Sequence, residues 1–287
     1  MTPWLLGARP RTLPAAVVPV LVGTACASPH VVWWRAAAAM TVALALQVGV
    51  NYANDYSDGV RGADAGRVGP TRLVASGLRP PAAVRRAAFL AFGVAAAAGL
   101  ALALAVDRRL VLLGALCILA AWFYTGGRRP YGYRGLGEVS VFVFFGLVAT
   151  VGAAYVQTGP GAAVPPLAVA AAVPVGVLAT ALLVVNNLRD LPGDRAAGKR
   201  TLAVRIGERR TRWLYATLLA AGVTAPLNMA RAEPRVLVAL LALPLAVRAA
   251  ARVLRGAGGA ELVPVLGETG RLQLVFGELL AAGLWRR

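Results

Sequence analysis

The sequence has very few of the side chains that most enzyme sites use. Among its 287 residues there is one histidine, His30, one lysine, Lys199, and two cysteines, Cys26 and Cys117. Both cysteines fall inside apolar stretches, where cysteine behaves as a small buried hydrophobic residue. This scarcity excludes a histidine-based catalytic mechanism, a zinc-ligand cluster and a disulfide framework.

Apolar residues, in contrast, are abundant. They make up 59% of the chain, and the mean hydropathy is +0.67, which is above the content of soluble domains. Six apolar windows carry no charged residue, and several of them approach the length of a bilayer-spanning helix. Three further windows are apolar but shorter or interrupted, the last by Glu278. We count nine predicted spans: Leu13–Ala27, Ala36–Val50, Ala87–Val106, Leu110–Phe123, Val139–Val156, Leu167–Val185, Trp213–Ala230, Val236–Val247 and Leu272–Trp285.

The predicted fold is therefore an all-α integral membrane protein with a single transmembrane domain over residues 1–287. Because further spans follow the first apolar stretch directly, no cleavable signal peptide is expected. The lipid bilayer is the expected environment.

The distribution of basic residues predicts the orientation of the chain. A net charge of +18 in a soluble protein would suggest nucleic acid. Nine spans, however, place 23 of the 30 basic residues on the side of the N-terminus and seven on the other side. The positive-inside rule then predicts a cytoplasmic N-terminus and an outside C-terminus. The charge is thus explained by topology and by attraction to anionic lipid or diphosphate, and no nucleic-acid partner is expected.

The 12 acidic residues are distributed unevenly, and five of them form two groups on the predicted cytoplasmic side. In the first group, four polar residues are spaced i, i+3, i+4, i+7, which places them on one face of a helix that continues past the second span. These are Asn51, Asn54, Asp55 and Asp58; Asp64 follows after two glycines, and Arg67 and Arg72 come next. Carboxylates at membrane depth are costly, so they normally mark a functional site.

The second group repeats this pattern at the end of the sixth span. Asn186 or Asn187, then Asp190 and Asp194, are spaced three to four residues apart, although Pro192-Gly193 leaves the local backbone open. Arg189, Lys199 and Arg205 lie beside this group. Paired carboxylates with only oxygen ligands suit Mg²⁺ that shares its shell with phosphate oxygens, and the basic residues suit the remaining diphosphate oxygens. The alternative is that these acids form only salt bridges with the arginines.

At these residues the chain resembles the UbiA superfamily of intramembrane prenyltransferases, through Asn54-Asp55-Tyr56-Ser57-Asp58 and Asp190-Leu191-Pro192-Gly193-Asp194. The run from Asn186 to Asp190 and the run from Gly198 to Arg205 are similar to the 1,4-dihydroxy-2-naphthoate polyprenyltransferases of menaquinone synthesis. Similarity also covers residues 9–13, 67–70, 124–127 and 133–138, with Arg128 where many members have proline.

The resemblance implies a ring of nine helices whose active site faces the cytoplasm of a bacterial plasma membrane. It implies Mg²⁺ as cofactor, a polyprenyl diphosphate and 1,4-dihydroxy-2-naphthoate as substrates, and demethylmenaquinone, diphosphate and CO₂ as products. The metal ligands would be Asp55, Asp58, Asp64, Asp190 and Asp194, with Lys199 as a further catalytic residue. Substrate would be bound by Asn51, Asn54, Arg67, Arg72, Tyr124, Arg129, Tyr133, Asn187, Arg189 and Arg205.

Several of these assignments keep an alternative. Tyr124 and Tyr133 line an acceptor pocket, stabilise a cation through their ring faces, or are interfacial tyrosines at the membrane boundary. Arg129 binds the acceptor carboxylate or is an orientation charge. For the whole chain, the rival functions are a prenyltransferase with another acceptor, such as 4-hydroxybenzoate or homogentisate, and a transporter, because intramembrane acids also mark ion paths.

Overall fold

The described part of the computed structural model comprises residues 2–63, 69, 71–159 and 161–286, and within it all regular structure is helical. The helices in chain order are α1 (Pro3–Ala8), α2 (Pro14–Ala25), α3 (Trp33–Val60), α4 (Pro81–Ala105), α5 (Leu110–Phe123), α6 (Gly137–Val141), α7 (Ala149–Tyr155), α8 (Pro166–Ala196), α9 (Leu202–Ile206), α10 (Glu208–Thr224), α11 (Pro226–Met229), α12 (Leu243–Leu254) and α13 (Leu262–Leu284). A π-helical segment, Phe142–Val148, joins α6 to α7. Short 3₁₀ turns lie at Pro10–Thr12, Gly132–Arg134 and Gly259–Glu261, and a nine-residue 3₁₀ helix, Pro234–Ala242, precedes α12.

Five helices of the described chain are long and apolar enough to cross a bilayer: Trp33–Val60, Pro81–Ala105, Gly137–Tyr155, Pro166–Ala196 and Pro234–Leu254. A sixth candidate is the pair Pro3–Thr12 and Pro14–Ala25, which is bent by 52°. The all-helical membrane architecture is thus confirmed. The count of nine spans and the orientation of the termini stay predictions.

The remaining predicted spans differ for identifiable reasons. α5 is apolar throughout but has only 14 residues, fewer than a bilayer needs. α13 has 23 residues but carries Glu268, Arg271 and Glu278. Charged residues also occupy most of the first turn of α10.

The two helices that carry the acidic groups both extend beyond their apolar windows. α3 runs without interruption for 28 residues, so Asn51 to Asp58 lie on one continuous helix, as predicted. α8 runs for 31 residues and continues through Pro192 to Ala196, which settles the backbone that the sequence left open. Its apolar window is 72% buried, the largest share among the spanning helices. α8 is therefore the central helix, and α2, α10, α12 and α13 contribute to the same hydrophobic core.

Candidate active site

A cavity of about 600 Å³ lies among α2 to α5, the segment Gly137–Tyr155 and α8. One end is polar, and the rest of the wall is apolar. The inner face of α3 contributes to the wall from Asp58 to Ala39, a distance of about 28 Å at the rise of an α-helix. The polar end is lined by Arg9, Asn54, Asp58, Arg72, Tyr133, Asn186, Asn187, Asp190, Asp194 and Lys199.

Asp58 is the centre of the charged cluster at this polar end. Its side chain is buried, and Oδ2 lies 3.1 Å from Lys199 Nζ and 3.8 Å from Arg72 Nη2. Lys199 Nζ also lies 3.6 Å from Asp194 Oδ1. Buried charges persist when they are paired in this way. Lys199 thus joins the first acidic group to the second, as one site.

A turn after α8 brings Lys199 back to the carboxylates. Gly198 has φ +72, a conformation that glycine adopts without strain. The Lys199 backbone N–H then donates to the Asp194 carbonyl at 2.8 Å, and the Arg200 N–H donates to the Tyr133 carbonyl at 2.8 Å. The loop that carries Lys199 is consequently fixed on both sides.

Tyr133 lies between two cations and donates its hydroxyl to Asp58 Oδ1. Lys199 Nζ is 4.7 Å from the ring centroid, and Arg61 Cζ is 5.6 Å from it, which is within cation–π range. Burial, and then the neighbouring Asp58 carboxylate, raise the pKa of the Tyr133 hydroxyl. The hydroxyl therefore keeps its proton and remains a donor to Asp58. Tyr124 also lines the cavity, and its predicted contact with substrate stays a prediction.

In the second acidic group, Arg189 neutralises Asp190. Its Nε and Nη2 lie 2.8 Å from the two carboxylate oxygens of Asp190, and Nη2 also donates to Asn186 Oδ1 at 2.8 Å. Asp190, Asp194 and Asn186 line the cavity, whereas the buried Arg189 does not. Arg189 thus supports Asp190, and its predicted substrate contact stays a prediction.

Asp55 does not occupy the position predicted for a metal ligand. Its oxygens accept from the backbone N–H groups of Leu73 and Val74 at 2.8 and 2.9 Å. The side chain is 1% exposed and is absent from the cavity wall. A carboxylate that is occupied by two amides holds a turn in place, so we assign Asp55 to fixing the loop that carries Arg72.

The predicted asparagines hold the helices around the polar end. Asn51 Nδ2 donates to the Ala8 carbonyl at 2.9 Å, which attaches the end of α1 to α3. Asn54 Oδ1 accepts from Thr125 Oγ1 at 2.7 Å. Asn187 Nδ2 donates to Glu138 Oε1 at 3.0 Å. All three asparagines line the cavity and each also makes a contact to another part of the chain, while their predicted substrate binding stays a prediction.

Two predicted substrate contacts lie away from the cavity. Arg205 is exposed; it donates from Nη2 to the Arg134 carbonyl at 2.8 Å and from Nε to the Arg200 carbonyl at 3.0 Å. These two hydrogen bonds join two loops, and the predicted substrate contact of Arg205 stays a prediction. Arg129 is exposed outside the cavity wall. Asp64 and Arg67 are outside the described residues, so their assignments stay predictions.

Three residues at or beside the polar end were missed by the sequence reasoning. Arg9, at the break between α1 and α2, lines the polar end and has φ +53, which is rare for a residue with a side chain. Arg61 donates to the Thr125 and Gly127 carbonyls while facing Tyr133. Glu138 is buried behind Asn187. The only sequence signal for them was that each lies in a stretch of family similarity or beside an acidic group.

The donor chemistry at the polar end fits Mg²⁺. The described residues contain no group of three or more acidic, histidine or cysteine side chains close enough to hold a metal by themselves. However, Asp58 and Asp194 contact one ammonium group, so both carboxylates lie within reach of a single cation. Mg²⁺ commonly uses one or two carboxylates and completes its shell with phosphate oxygens and water. The site therefore fits Mg²⁺ that is bound together with a phosphorylated ligand.

Comparison with known proteins identifies the family. The UbiA prenyltransferase family profile matches residues 16–261. The chain belongs to the UbiA prenyltransferase family. This UbiA family member is 51% identical over 283 residues to the 1,4-dihydroxy-2-naphthoate octaprenyltransferase of Mycobacterium tuberculosis, covering 98% of the chain and 96% of the relative. It is 37% identical to the Escherichia coli protein of the same name, with 98% and 94% covered.

The fold of this UbiA family member agrees with that assignment. A UbiA homolog from Archaeoglobus fulgidus, in a structure bound to GPP and Mg²⁺, matches with a TM-score of 0.65 over 98% of this chain and 100% of the homolog. The two sequences are 16% identical. The likeness confirms the fold.

Proposed function

We propose that this protein transfers a polyprenyl group from a polyprenyl diphosphate to 1,4-dihydroxy-2-naphthoate in a bacterial plasma membrane. One observation carries the proposal: a single cavity joins a buried carboxylate and cation cluster to a long apolar wall. That arrangement matches a donor with a diphosphate head and a hydrocarbon tail. The names of the full-length relatives supply the acceptor.

At the polar end, Lys199 and Arg72 would bind diphosphate oxygens, while Asp58, Asp190 and Asp194 would hold Mg²⁺. When bound, Mg²⁺ would neutralise the charge that collects on the departing diphosphate. Tyr133 fixes the Asp58 carboxylate through its hydroxyl and Lys199 through its ring face. The protein's part at this end is therefore to preorganise charge before the allylic C–O bond breaks.

The apolar wall would perform a second task, which is to exclude water from the reacting carbon. The C–O electron pair leaves with diphosphate, and the electron-rich naphthoate ring forms the new C–C bond with the prenyl carbon. Loss of the carboxyl group as CO₂ restores the aromatic ring. Because no oxidant takes part, the immediate product is the reduced quinol, which oxidises to demethylmenaquinone.

The test is a transfer assay with purified protein in detergent. The protein is given Mg²⁺, octaprenyl diphosphate and equal amounts of 1,4-dihydroxy-2-naphthoate, 4-hydroxybenzoate and homogentisate, and the products are identified by mass spectrometry. We expect the decarboxylated, prenylated naphthoquinone as the main product. A main product from either of the other acceptors would contradict the proposed substrate.

The rival transporter function is disfavoured by the same cavity. Beyond the polar end, its described wall on α4 and α5 consists of apolar and glycine residues such as Ala95, Gly99 and Leu113. An ion path needs polar groups along its length. Ion or solute flux in proteoliposomes together with no prenylated product would support the rival.

The cytoplasmic location of the polar end rests on the distribution of basic residues. A cytoplasmic site would meet water-soluble substrates made inside the cell. It would also leave the prenyl tail and product in the bilayer, where a lipid quinone is used.

A further inference from the structure

Two helix glycines in the apolar part of the cavity wall, away from the polar end, lack a packing reason to be glycine. Gly114 on α5 and Gly152 on α7 both lie in the cavity wall, and an added Cβ at either would meet no atom within 4 Å. Glycine is the least favourable residue in a helix interior after proline. Glycine at these two positions therefore lowers helix propensity without allowing another helix to approach closely.

Other helix glycines of this protein show what a packing reason looks like. An added Cβ at Gly146 would lie 2.5 Å from Gly176 Cα, and one at Gly176 would lie 2.9 Å from Gly146 Cα. Those two residues let α8 and the π-helical segment approach each other closely. What Gly114 and Gly152 leave open instead is space inside the cavity.

Both glycines lie far from the charged cluster. Gly114 is 10 residues before Tyr124, about 15 Å along α5. Gly137 lies beside Tyr124, because a Cβ added at Gly137 would be 2.9 Å from the Tyr124 hydroxyl. Gly152 is 15 residues further along the same helical segment, so it lies about 20 Å from Tyr124. Gly99 on α4 is a third glycine in this distal wall, with Val42 3.8 Å from its added Cβ. A side chain added at this depth would therefore not contact the charged cluster.

We propose that Gly114 and Gly152 keep the distal half of the cavity open, and thereby let the enzyme accept long prenyl chains. The inference rests on the proposed function, since it assumes that the cavity holds the donor's tail. A short geranyl chain would end near the charged cluster and would not reach the two glycines. A long octaprenyl chain would pass them. Larger side chains at Gly114 or Gly152 would then reduce transfer of the octaprenyl chain and not transfer of the geranyl chain.

The experiment compares kcat/KM for geranyl diphosphate and octaprenyl diphosphate, with one acceptor, in the wild type and in Gly114→Leu and Gly152→Leu. We expect each substitution to lower the value for octaprenyl diphosphate by about tenfold or more, while the value for geranyl diphosphate stays within about twofold. Retained geranyl transfer also shows that the variant is folded.

Gly93→Leu is the matched control. Gly93 likewise meets no atom within 4 Å, but it is exposed on α4 outside the cavity wall. Gly93→Leu should leave kcat/KM unchanged for both donors. Should either leucine variant fail to fold, Gly114→Ala and Gly152→Ala are measured instead, and a smaller loss confined to octaprenyl diphosphate is expected.

Two results would overturn the inference while leaving the proposed function intact. One is an equal loss with both donors, which indicates a general structural effect. The other is no loss with either donor, which shows that the tail does not pass these positions. A wild type that transfers neither donor to any acceptor is a different failure, because it contradicts the proposed function itself.

Discussion

Lys199 and Asp58 are 141 residues apart in the chain, yet Lys199 Nζ lies 3.1 Å from Asp58 Oδ2. The same ammonium group lies 3.6 Å from Asp194 Oδ1. One side chain thereby joins the acidic groups of α3 and α8 into a single charged cluster. The polar end of the cavity is built around this contact.

The first prediction concerns that ammonium group. Lys199→Ala should lower kcat/KM by roughly 10²-fold or more, because an electrostatic stabiliser of the leaving group is removed. Lys199→Arg should also lower kcat, since a planar guanidinium cannot reproduce a compact charge between two carboxylates. Steady-state kinetics measures both, and Arg200→Ala is the matched control because Arg200 is the exposed neighbour. Full activity in Lys199→Arg and a loss of only a few-fold in Lys199→Ala would make Lys199 an orientation charge.

The second prediction separates the two aspartates of the first group. Asp55→Ala leaves the buried Leu73 amide and the partly buried Val74 amide without their acceptor, so it should destabilise the protein by about 2 kcal/mol or more. Thermal unfolding in detergent should show a Tm lower by several degrees. Asp58→Asn should instead lose turnover even well below its own Tm, which the loss of a partner of the buried Lys199 also lowers. An unchanged Tm in Asp55→Ala would contradict the assignment of Asp55 to the Leu73–Val74 turn.

The third prediction concerns the two contacts of Tyr133. Tyr133→Phe removes the hydrogen bond to Asp58 but keeps the ring against Lys199 and Arg61, whereas Tyr133→Ala removes both. A cation–π contact contributes about 0.5–2 kcal/mol, so Tyr133→Ala should lose roughly tenfold more kcat/KM than Tyr133→Phe. Equal losses in the two variants would show that the ring has no electrostatic role.

The raised pKa of Tyr133 adds a pH dependence to this comparison. A tyrosine with a raised pKa is still protonated at its ordinary value of about 10, so its hydrogen bond to Asp58 persists below that pH. The activity difference between wild type and Tyr133→Phe should therefore stay constant from neutral pH up to about pH 10. If the activity difference between wild type and Tyr133→Phe disappears below about pH 10, the Tyr133 hydroxyl loses its proton in that range.

The fourth prediction tests the orientation. In a variant that lacks Cys26 and Cys117, single cysteines at Ala63 and Ala197 should resist an impermeant thiol reagent that is added outside intact cells. A cysteine at Gly161, on the predicted opposite side, should react. Labelling of the first two positions from outside would reverse the predicted topology.

Helical periodicity predicted the local part of this site well. The spacing of Asn51, Asn54 and Asp58 correctly placed them on one face of a long helix, and all three line the cavity. Asp55 fits the same spacing, yet it turns to the Leu73 and Val74 amides. Spacing defines a helix face to within about one residue, and it cannot show which of two neighbours on that face meets another loop.

The long-range contacts could not be predicted from spacing. Tyr133 reaches Asp58 across 75 residues, and Arg205 reaches the Arg134 carbonyl across 71. Both contacts depend on how separate helices pack. For the same reason, an exposed arginine such as Arg129 was indistinguishable in sequence from Arg72, whose side chain is buried beside Asp58.

We propose that the Asp58, Asp194 and Lys199 cluster binds the diphosphate head of the donor together with Mg²⁺. The most direct measurement is equilibrium binding of a radiolabelled, non-hydrolysable thio analogue of a prenyl diphosphate to purified protein, with Mg²⁺ or with a chelator. We predict that wild type binds only with Mg²⁺ and that Asp58→Asn and Asp194→Asn weaken binding by about tenfold or more. Binding that is unchanged by the chelator and by both substitutions would contradict the account.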